Sequence, residues 1–227
     1  MTIELALFTY NEIEGSRAIV PHIPRESVNG IFAIDGGSTD GTVEYLESQG
    51  IPVIRQGAEK GRGAAFRIAF KHSKADALIC FSPDGNEDPA DILKFRALLE
   101  QGNDIVIASR MMKGAYNEED EHLLRWRKWA NLSFGWLANV FFNKAAWVTD
   151  TINGFRAVRS ASFAKLSPDG PGYTIEYQMS IRAMKQKLRI VEFPTHESAR
   201  IGGESYAKSL PTGCAFLKLF WREMWLR

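Results

Sequence analysis

Short apolar segments alternate with helical patterns through the first half of this chain, and that alternation constrains the fold more than any other feature. Apolar runs predict five strands, at residues 3–9, 31–34, 52–55, 77–81 and 104–108. The predicted helices run to about residue 28, over 42–49, to about residue 71 and over 89–101. Strands separated by about ten to fifteen residues of helix form right-handed βαβ units. The sequence therefore predicts an α/β fold with a mostly parallel sheet and helices on both faces.

A charged residue follows each predicted strand, directly or in the loop that leads from it. These residues are Glu12, Asp35, Lys60, Asp84 and Arg110. In an open parallel sheet the carboxyl ends of the strands meet at one edge, and ligands bind in the crevice where the strand order reverses. We therefore expect an active site at that edge of the sheet.

The turn after the fourth apolar run is the candidate metal site. Asp84 stands at the end of the predicted strand, and Asn86 follows two residues later. Mg²⁺ and Mn²⁺ prefer oxygen ligands and take only one or two protein carboxylates, the remaining ligands being water and substrate phosphates. Asp84 and Asn86 are therefore predicted to hold Mg²⁺ or Mn²⁺. The alternative is an acidic turn that only caps the helix beginning at Pro89.

The overall composition excludes several classes of protein. A net charge of +1 provides no strongly basic surface, which argues against a general nucleic-acid binder. The two cysteines form no CxxC motif and no disulfide framework. The first residues lack a secretory signal, and no run of about twenty apolar residues occurs. These features predict a cytoplasmic protein, with the inner face of a membrane as a peripheral location.

Five motifs, in this order along the chain, resemble those of family-2 glycosyltransferases. They are Phe-Thr-Tyr-Asn-Glu at 8–12, Asp-Gly-Gly-Ser-Thr-Asp-Gly-Thr at 35–42, Lys-Gly-Arg-Gly at 60–63, the Asp84 turn, and Asp-Thr-Ile-Asn-Gly-Phe-Arg at 150–156. The pattern looks most like the dolichyl-phosphate mannose/glucose synthase branch. The resemblance implies a GT-A fold, a UDP- or GDP-sugar donor, a divalent cation that bridges the diphosphate, and inverting transfer to an acceptor such as a polyprenyl phosphate.

The resemblance also implies roles for individual residues. The implied substrate-binding residues are Thr9, Asn11, Glu12, Asp35, Gly37, Lys60, Gly61, Arg156, Arg200 and Ser205. Among these, Asp35 would accept a hydrogen bond from the nucleobase. The implied catalytic residues are Asp150, Glu176 and Arg110. Asp150 is the candidate general base or acceptor-side group, with capping of its own turn as the alternative, and Glu176 either faces the site or only begins a helix.

Two departures from the family pattern leave other functions open. Ser82 stands where the family usually has the first aspartate of Asp-x-Asp, and Asn86 stands where it has glutamine. Many relatives also carry C-terminal membrane spans, which this chain lacks. One alternative function is a non-catalytic module that binds nucleotide sugars. The other is a nucleotidyltransferase on a similar sheet, although Tyr10-Asn11-Glu12 stands where that class would carry a glycine-rich basic loop.

The C-terminal segment predicts an amphipathic helix outside the main domain. We expect residues 1–206 to form the GT-A domain and residues 207–227 to form this helix, with a second aromatic-rich helical stretch from Arg125 to Phe142. Aromatic residues on one helix face and basic residues on another are typical of helices that lie on a membrane surface. Packing on the domain, or contact with a second copy in a homo-oligomer, is the alternative.

Overall fold

The computed structural model describes residues 1–121, 125–202 and 209–226. The strands are β1 (Ile3–Thr9), β2 (Gly30–Asp35), β3 (Val53–Arg55), β4 (Ala77–Phe81), β5 (Ile105–Ser109), β6 (Arg156–Arg159) and β7 (Ile190–Pro194). The helices are α1 (Ile13–Ile19), α2 (Thr42–Ser48), α3 (Arg62–His72), α4 (Ile92–Glu100), α5 (Trp126–Phe142), α6 (Ser160–Leu166), α7 (Thr174–Lys185) and α8 (Ser209–Trp225). Short 3₁₀ turns lie between some of these elements.

All seven strands belong to one sheet, in the order β3-β2-β1-β4-β6-β5-β7. Every neighbouring pair is parallel except those of β6, which is antiparallel to both β4 and β5. The predicted mostly parallel sheet is confirmed. The strand order reverses at β1, because β2 and β3 extend to one side of it and β4 begins the other side. A switch point of this kind leaves a crevice at the carboxyl ends of the strands.

The core consists of two layers, one on each face of the sheet. Alternate residues of β1 divide between them: Ala6 and Phe8 belong to one cluster, whereas Leu5 and Leu7 belong to the other. Helices α3, α5, α7 and α8 cover the first face, and α2 and α4 cover the second. The prediction of helices on both faces is confirmed, since side chains of a strand point alternately to its two sides.

Three features differ from the expectation or go beyond it. The first helix ends at Ile19 rather than near residue 28, because Pro21 and Pro24 cannot continue an α-helix, and 3₁₀ turns follow instead. Strands β6 and β7 were not predicted. The insertion of β6 between β4 and β5 pairs segments about 80 and 50 residues apart in sequence, which no local pattern indicates.

The C-terminal helix has one face on the domain and another in solvent. Phe216 and Phe220 of α8 are buried, with ring contacts to Phe134 and Phe142 of α5. Trp225 on the opposite side is 82% exposed. None of the helices in the described ranges is long and apolar enough to cross a bilayer.

Candidate active site

A cavity of about 710 Å³ lies at the carboxyl ends of β1 to β5, where the strand order reverses. Residues of α5, α7 and α8 complete its wall. The predicted site residues that line it are Thr9, Glu12, Gly37, Lys60, Gly61, Asp84, Asn86, Arg110, Glu176 and Arg200. The structure therefore brings most of the predicted residues together. Ser205 lies outside the described residues, so its predicted role stays a prediction.

The end of the cavity at β2 and α3 is built from glycines and one lysine. The Lys60 ammonium donates to the carbonyl oxygen of Gly36 at 3.1 Å and lies beside Gly37. Gly37 has φ +105° and Gly61 has φ +92°, backbone conformations that other residues rarely adopt. A side chain at Gly37 would also collide with the Lys60 ammonium. This end is therefore an open, positively charged pocket in which a ligand can approach the backbone closely.

Asp35 forms part of the framework beneath this pocket. Its carboxylate is fully buried and accepts four hydrogen bonds, from the backbone N–H groups of Gly37 and Ser38 and from the hydroxyls of Ser38 and Thr9, at 2.5–3.2 Å. Four bonds fill the acceptor capacity of a carboxylate. A base could bond to Asp35 only by displacing one of these donors. The structure gives Asp35 a role in shaping the turn, and its predicted contact with the nucleobase stays a prediction.

Asn11 also holds the turns together rather than facing the cavity. It has φ +54°, its side-chain oxygen accepts from the N–H of Thr39 at 2.9 Å, and its own N–H donates to the Ser38 hydroxyl at 2.8 Å. These bonds join the loop after β1 to the loop after β2. The structure gives Asn11 a supporting position, and its predicted substrate contact stays untested.

The turn after β4 carries the acidic end of the cavity. Asp84 accepts from the backbone N–H of Asn86 at 3.1 Å, and its other oxygen lies 3.6 Å from an Arg200 nitrogen. The Asn86 amide donates to the carbonyl oxygen of Ser198 at 2.7 Å. Burial raises the pKa of Asp84. Burial, together with the nearby Asp84 carboxylate, raises the pKa of Glu87 to about 8. Burial therefore favours the neutral, protonated form of both carboxyl groups.

The acidic turn fits a divalent cation held by few protein ligands. Among the described residues, no group of three or more His, Cys, Asp and Glu side chains is arranged to hold a metal ion by itself. Asp84 and Asn86 nevertheless supply a carboxylate and an amide oxygen within the cavity. Mg²⁺ commonly uses one or two carboxylates and completes its shell with water and phosphate. Burial disfavours the charged forms of Asp84 and Glu87, and a cation bound beside them would favour those forms and lower both pKa values.

Arg110 and Asp150 form a buried ion pair at the edge of the cavity. Two nitrogens of Arg110 and its backbone N–H donate to the Asp150 carboxylate at 2.7–3.1 Å, and a third guanidinium nitrogen donates to Glu197 at 3.1 Å. Burial opposes ionisation of Asp150, but the charge and hydrogen bonds of Arg110 outweigh it and lower the pKa. Asp150 does not line the cavity. This geometry favours a role in holding Arg110 over the predicted role as a general base.

Arg156 is fully buried beneath the site rather than inside it. Its guanidinium donates to the carbonyl oxygens of Asn153, Thr151 and Glu176 at 2.7–3.3 Å. Arg156 is not among the residues that line the cavity, so the structure gives it a supporting position, and its predicted substrate contact stays a prediction. Arg156 ties the loop before β6 to the first turn of α7.

Two residues of the site were not assigned a role from the sequence. Arg62, the first residue of α3, lines the cavity and forms an ion pair with Glu176. Glu176 also lines the cavity, so it faces the site and does not only begin a helix. Glu197 lines the cavity and pairs with Arg110. The sequence signal for Arg62 is its place inside the Lys-Gly-Arg-Gly motif. Glu197 follows an unpredicted strand, and no sequence pattern marked it.

Gly15 allows α1 to pack directly on the Asp84 turn. A Cβ atom at this position would lie 2.6 Å from the carbonyl oxygen of Pro83 and 2.8 Å from the Cα of Asp84. We expect Gly15→Ala to lower the free energy of unfolding by about 1–3 kcal/mol, because the backbone on either side must move. Chemical denaturation measures this effect. Gly57→Ala is the matched control, since a Cβ atom there meets nothing within 4 Å, and equal stability of the two variants would contradict the close approach.

The fold resembles that of solved glycosyltransferases. Glucosyl-3-phosphoglycerate synthase from Mycobacterium tuberculosis, solved with Mn²⁺, uridine diphosphate and glucosyl-3-phosphoglycerate, aligns with a TM-score of 0.75 and 18% identity. The alignment covers 100% of this chain and 81% of that one. The expected GT-A fold is thereby confirmed.

The amino-acid sequence is also similar to those of curated proteins that are named as sugar transferases or synthases. Glycosyltransferase AglJ of Haloferax volcanii is 29% identical over 194 residues, which cover 82% of this chain and 60% of the relative. The dolichol-phosphate mannosyltransferase of Pyrococcus furiosus is 26% identical over 215 residues, covering 92% and 60%. Polyprenol monophosphomannose synthase of Mycolicibacterium smegmatis is 25% identical over 201 residues, covering 82% and 73%. The aligned part of this chain thus spans 60% of the length of AglJ and of the Pyrococcus protein.

The family profile described as "Glycosyl transferase family 2" matches residues 17–167. The matched segment includes β2 to β6 and the Asp84 turn, and it makes up more than half of the chain. This chain therefore belongs to glycosyl transferase family 2.

Proposed function

We propose that this chain transfers a sugar from a UDP- or GDP-sugar to a polyprenyl phosphate, with Mg²⁺ or Mn²⁺ as cofactor and with inversion at the sugar. The observation that carries the proposal is the single cavity that joins the glycine and lysine pocket to the acidic turn of Asp84. Pockets of the first kind suit a nucleotide, and turns of the second kind suit a metal-bound diphosphate. The names of the Pyrococcus and Mycolicibacterium relatives support the lipid phosphate acceptor.

The donor's diphosphate is proposed to lie between Lys60 and the Asp84 turn. When bound there by Asp84 and Asn86, a divalent cation would neutralise charge that develops on the leaving nucleoside diphosphate. Lys60 contributes a fixed positive charge at the opposite end of the same space. Arg200, close to both Glu12 and Asp84, contributes another. Charges placed in advance of the reaction stabilise the transition state without reorganisation of the protein.

The pairing of the predicted catalytic carboxylates favours a phosphate acceptor. The carboxylate of Asp150 is held by Arg110, and that of Glu176 by Arg62. A sugar hydroxyl needs a general base to remove its proton, whereas a phosphate is already an anion and needs none. A site whose predicted bases are engaged in ion pairs suits the second kind of acceptor. Arg110 and Arg200, both in the cavity wall, are the cations proposed to attract the acceptor phosphate.

The acceptor's lipid chain is proposed to leave the cavity between α5 and α8. The wall at this end includes Trp126 and Asn131 of α5 and Thr212 and Phe216 of α8. The outer surfaces of these helices and of the adjoining loop expose several large aromatic side chains. Those at least half exposed are Trp129, Trp136, Phe141, Trp147, Trp221 and Trp225. Exposed apolar surface of this extent marks an interaction site.

We propose that this aromatic surface lies on a membrane. The exposed cations Arg127, Lys144 and Lys218 accompany the aromatic residues on the same two helices and their adjoining loop, as in helices that bind anionic bilayers. A second copy of the chain is the alternative partner. The membrane is favoured because a polyprenyl phosphate keeps its lipid in the bilayer while its phosphate enters the cavity.

Flotation with anionic vesicles tests the membrane contact. The protein is expected to float at low salt and to float less as salt increases, because screening weakens the cationic contribution. Replacing Trp221 and Trp225 with serine is expected to weaken binding at least tenfold, since each buried large apolar side chain contributes about 1.5 kcal/mol or more. Leu93→Ser is the matched control, an exposed apolar residue on α4 at the opposite sheet face.

Protein that stays at the bottom of the gradient at low salt would contradict membrane docking. If the tryptophan variants then change the oligomeric state, the surface is a contact between copies, and a soluble acceptor becomes the better proposal.

A thermal-shift panel tests the donor class. A ligand that binds only the native state at one hundred times its Kd stabilises it by about 2.7 kcal/mol. We expect one UDP- or GDP-sugar to raise the melting temperature, with a larger shift in Mn²⁺, and nucleoside diphosphate to be released on incubation. A shift with nucleoside triphosphates alone would favour the nucleotidyltransferase. Binding of a nucleotide sugar without turnover, for every acceptor offered, would favour the non-catalytic module.

A further inference from the structure

We propose that Arg62 binds the diphosphate of the donor directly, so that this chain holds its nucleotide without a divalent cation. The inference rests on the proposed function, because it assumes a nucleoside diphosphate in the cavity. It goes beyond that function by separating nucleotide binding from metal binding.

The guanidinium of Arg62 is fixed in the middle of the cavity wall. One nitrogen forms an ion pair with Glu176, and another donates to the Ser82 hydroxyl at 3.1 Å. The charged group also lies 5.8 Å from the ring centroids of Phe8 and Phe66. A guanidinium held by an ion pair, a hydrogen bond and aromatic faces loses little further freedom when it binds a ligand.

Ser82 adds no negative charge beside the ion pair of Arg62 and Glu176. The residue at this position in the family pattern is an aspartate, which beside Arg62 would form a second ion pair and make the group net negative. The serine hydroxyl accepts the same hydrogen bond but carries no charge. Ser82 and Arg62 are in direct contact. The permanently charged guanidinium of Arg62 therefore lies beside the residue position at which the family pattern has a metal ligand.

Gly154 provides separate support for the same position. A Cβ atom at Gly154 would overlap the third nitrogen of Arg62, so only glycine leaves room for the guanidinium. That nitrogen makes no hydrogen bond to any residue of the described ranges. Its N–H groups are free to donate to a ligand oxygen. Arginine matches phosphate oxygens well because its N–H groups are planar and always charged.

The electrostatic surroundings explain why a fixed cation is useful here. Asp84 and Glu87 line the same cavity as Arg62. Wherever these carboxyl groups are ionised, they repel a diphosphate. Arg62 attracts the diphosphate from the adjacent wall, and Lys60 does so from the far end.

Calorimetric titration with uridine and guanosine diphosphate, in Mn²⁺ and separately in EDTA, tests the proposal. The wild-type protein is expected to bind one of them in EDTA within about tenfold of its affinity in Mn²⁺. The double variant Arg62→Met/Glu176→Gln removes the charge without leaving Glu176 unpaired. It is expected to lose at least tenfold in affinity in EDTA and less in Mn²⁺. Arg67→Met is the matched control, since Arg67 lies on the same helix and pairs with exposed Glu59 outside the cavity.

Ser82→Asp provides a variant that keeps Arg62 in place. The new carboxylate is expected to weaken binding in EDTA and to preserve or strengthen it in Mn²⁺, a split that a merely structural role of Arg62 would not produce. Wild-type binding that is detected only in Mn²⁺, or a double variant that binds as tightly as wild type in EDTA, would overturn the inference and leave the proposed function standing. Absence of binding in both conditions would overturn both.

Discussion

Asp150→Ala is expected to lower the free energy of unfolding by about 3–5 kcal/mol, the usual effect of removing one partner of a buried ion pair. The Asp150 side chain is 1% exposed. When it is removed, the buried Arg110 guanidinium loses its ion pair with Asp150 and keeps its ion pair with Glu197. Chemical denaturation at neutral pH measures the change. Glu59→Ala is the matched control: its ion pair with Arg67 is largely exposed, and such pairs contribute less than about 1 kcal/mol.

The effect of Asp150→Ala should depend on pH in a defined direction. Because the folded-state pKa of Asp150 is lowered, its stabilising contribution is present above the unfolded-state value of about 3.9 and is lost as pH falls through the folded-state value. The stability difference between wild type and variant is therefore expected to shrink below about pH 4. A difference that stays constant from pH 7 to pH 3 would show that lost packing, rather than lost charge, is responsible.

Asp84→Ala is expected to reduce turnover at least a hundredfold, comparable to the loss of one preorganised charge-stabilising group, about 2.7–4 kcal/mol. The reason is that Asp84 is the one carboxylate proposed to hold the cation beside the leaving diphosphate. EDTA is expected to inactivate the wild-type protein for the same reason, although nucleotide binding persists through Arg62. Initial rates of nucleoside diphosphate release measure both effects.

Asp88→Ala serves as the control for Asp84. Asp88 lies in the same turn, but its carboxylate caps the N–H of Ala90 at 2.9 Å and is exposed. Its replacement should lower stability by about 1 kcal/mol and leave turnover unchanged. Full turnover of the Asp84 variant, or indifference of the wild type to chelation, would remove Asp84 from the metal site.

The positions of the site residues could be predicted from the sequence more fully than their partners. Lys60 and Asp84 each follow a strand, and parallel pairing brings the ends of those strands to one edge. Arg110 reaches the same edge because β5 is antiparallel to β6, which is itself antiparallel to β4. Asp35 also follows a strand, whereas Asp150 lies in the loop before β6, and the carboxylates of both accept hydrogen bonds from nearby donors. Which donors reach a carboxylate depends on turn geometry and on side-chain directions, and neither is encoded in the spacing of residues along the chain.

Long-range pairing accounts for the rest of what could not be predicted. Arg156 is buried because β6 lies between β4 and β5, antiparallel to both. The substrate role of Arg156 was implied by the resemblance, and the sequence does not indicate that these strands surround it. Arg62 faces Ser82 and Glu176 across 20 and 114 residues of sequence. A single sequence offers no local signal for such contacts.

Transfer of labelled sugar from the donor identified by thermal shift to a polyprenyl phosphate in vesicles, with Mn²⁺, tests the central claim most directly. The account predicts a lipid-linked sugar product and an equivalent amount of nucleoside diphosphate from the wild-type protein, and at most one hundredth of that rate from Asp84→Ala. Donor consumption with no labelled lipid would contradict the proposed acceptor. A product formed equally well by the Asp84 variant would contradict the proposed site.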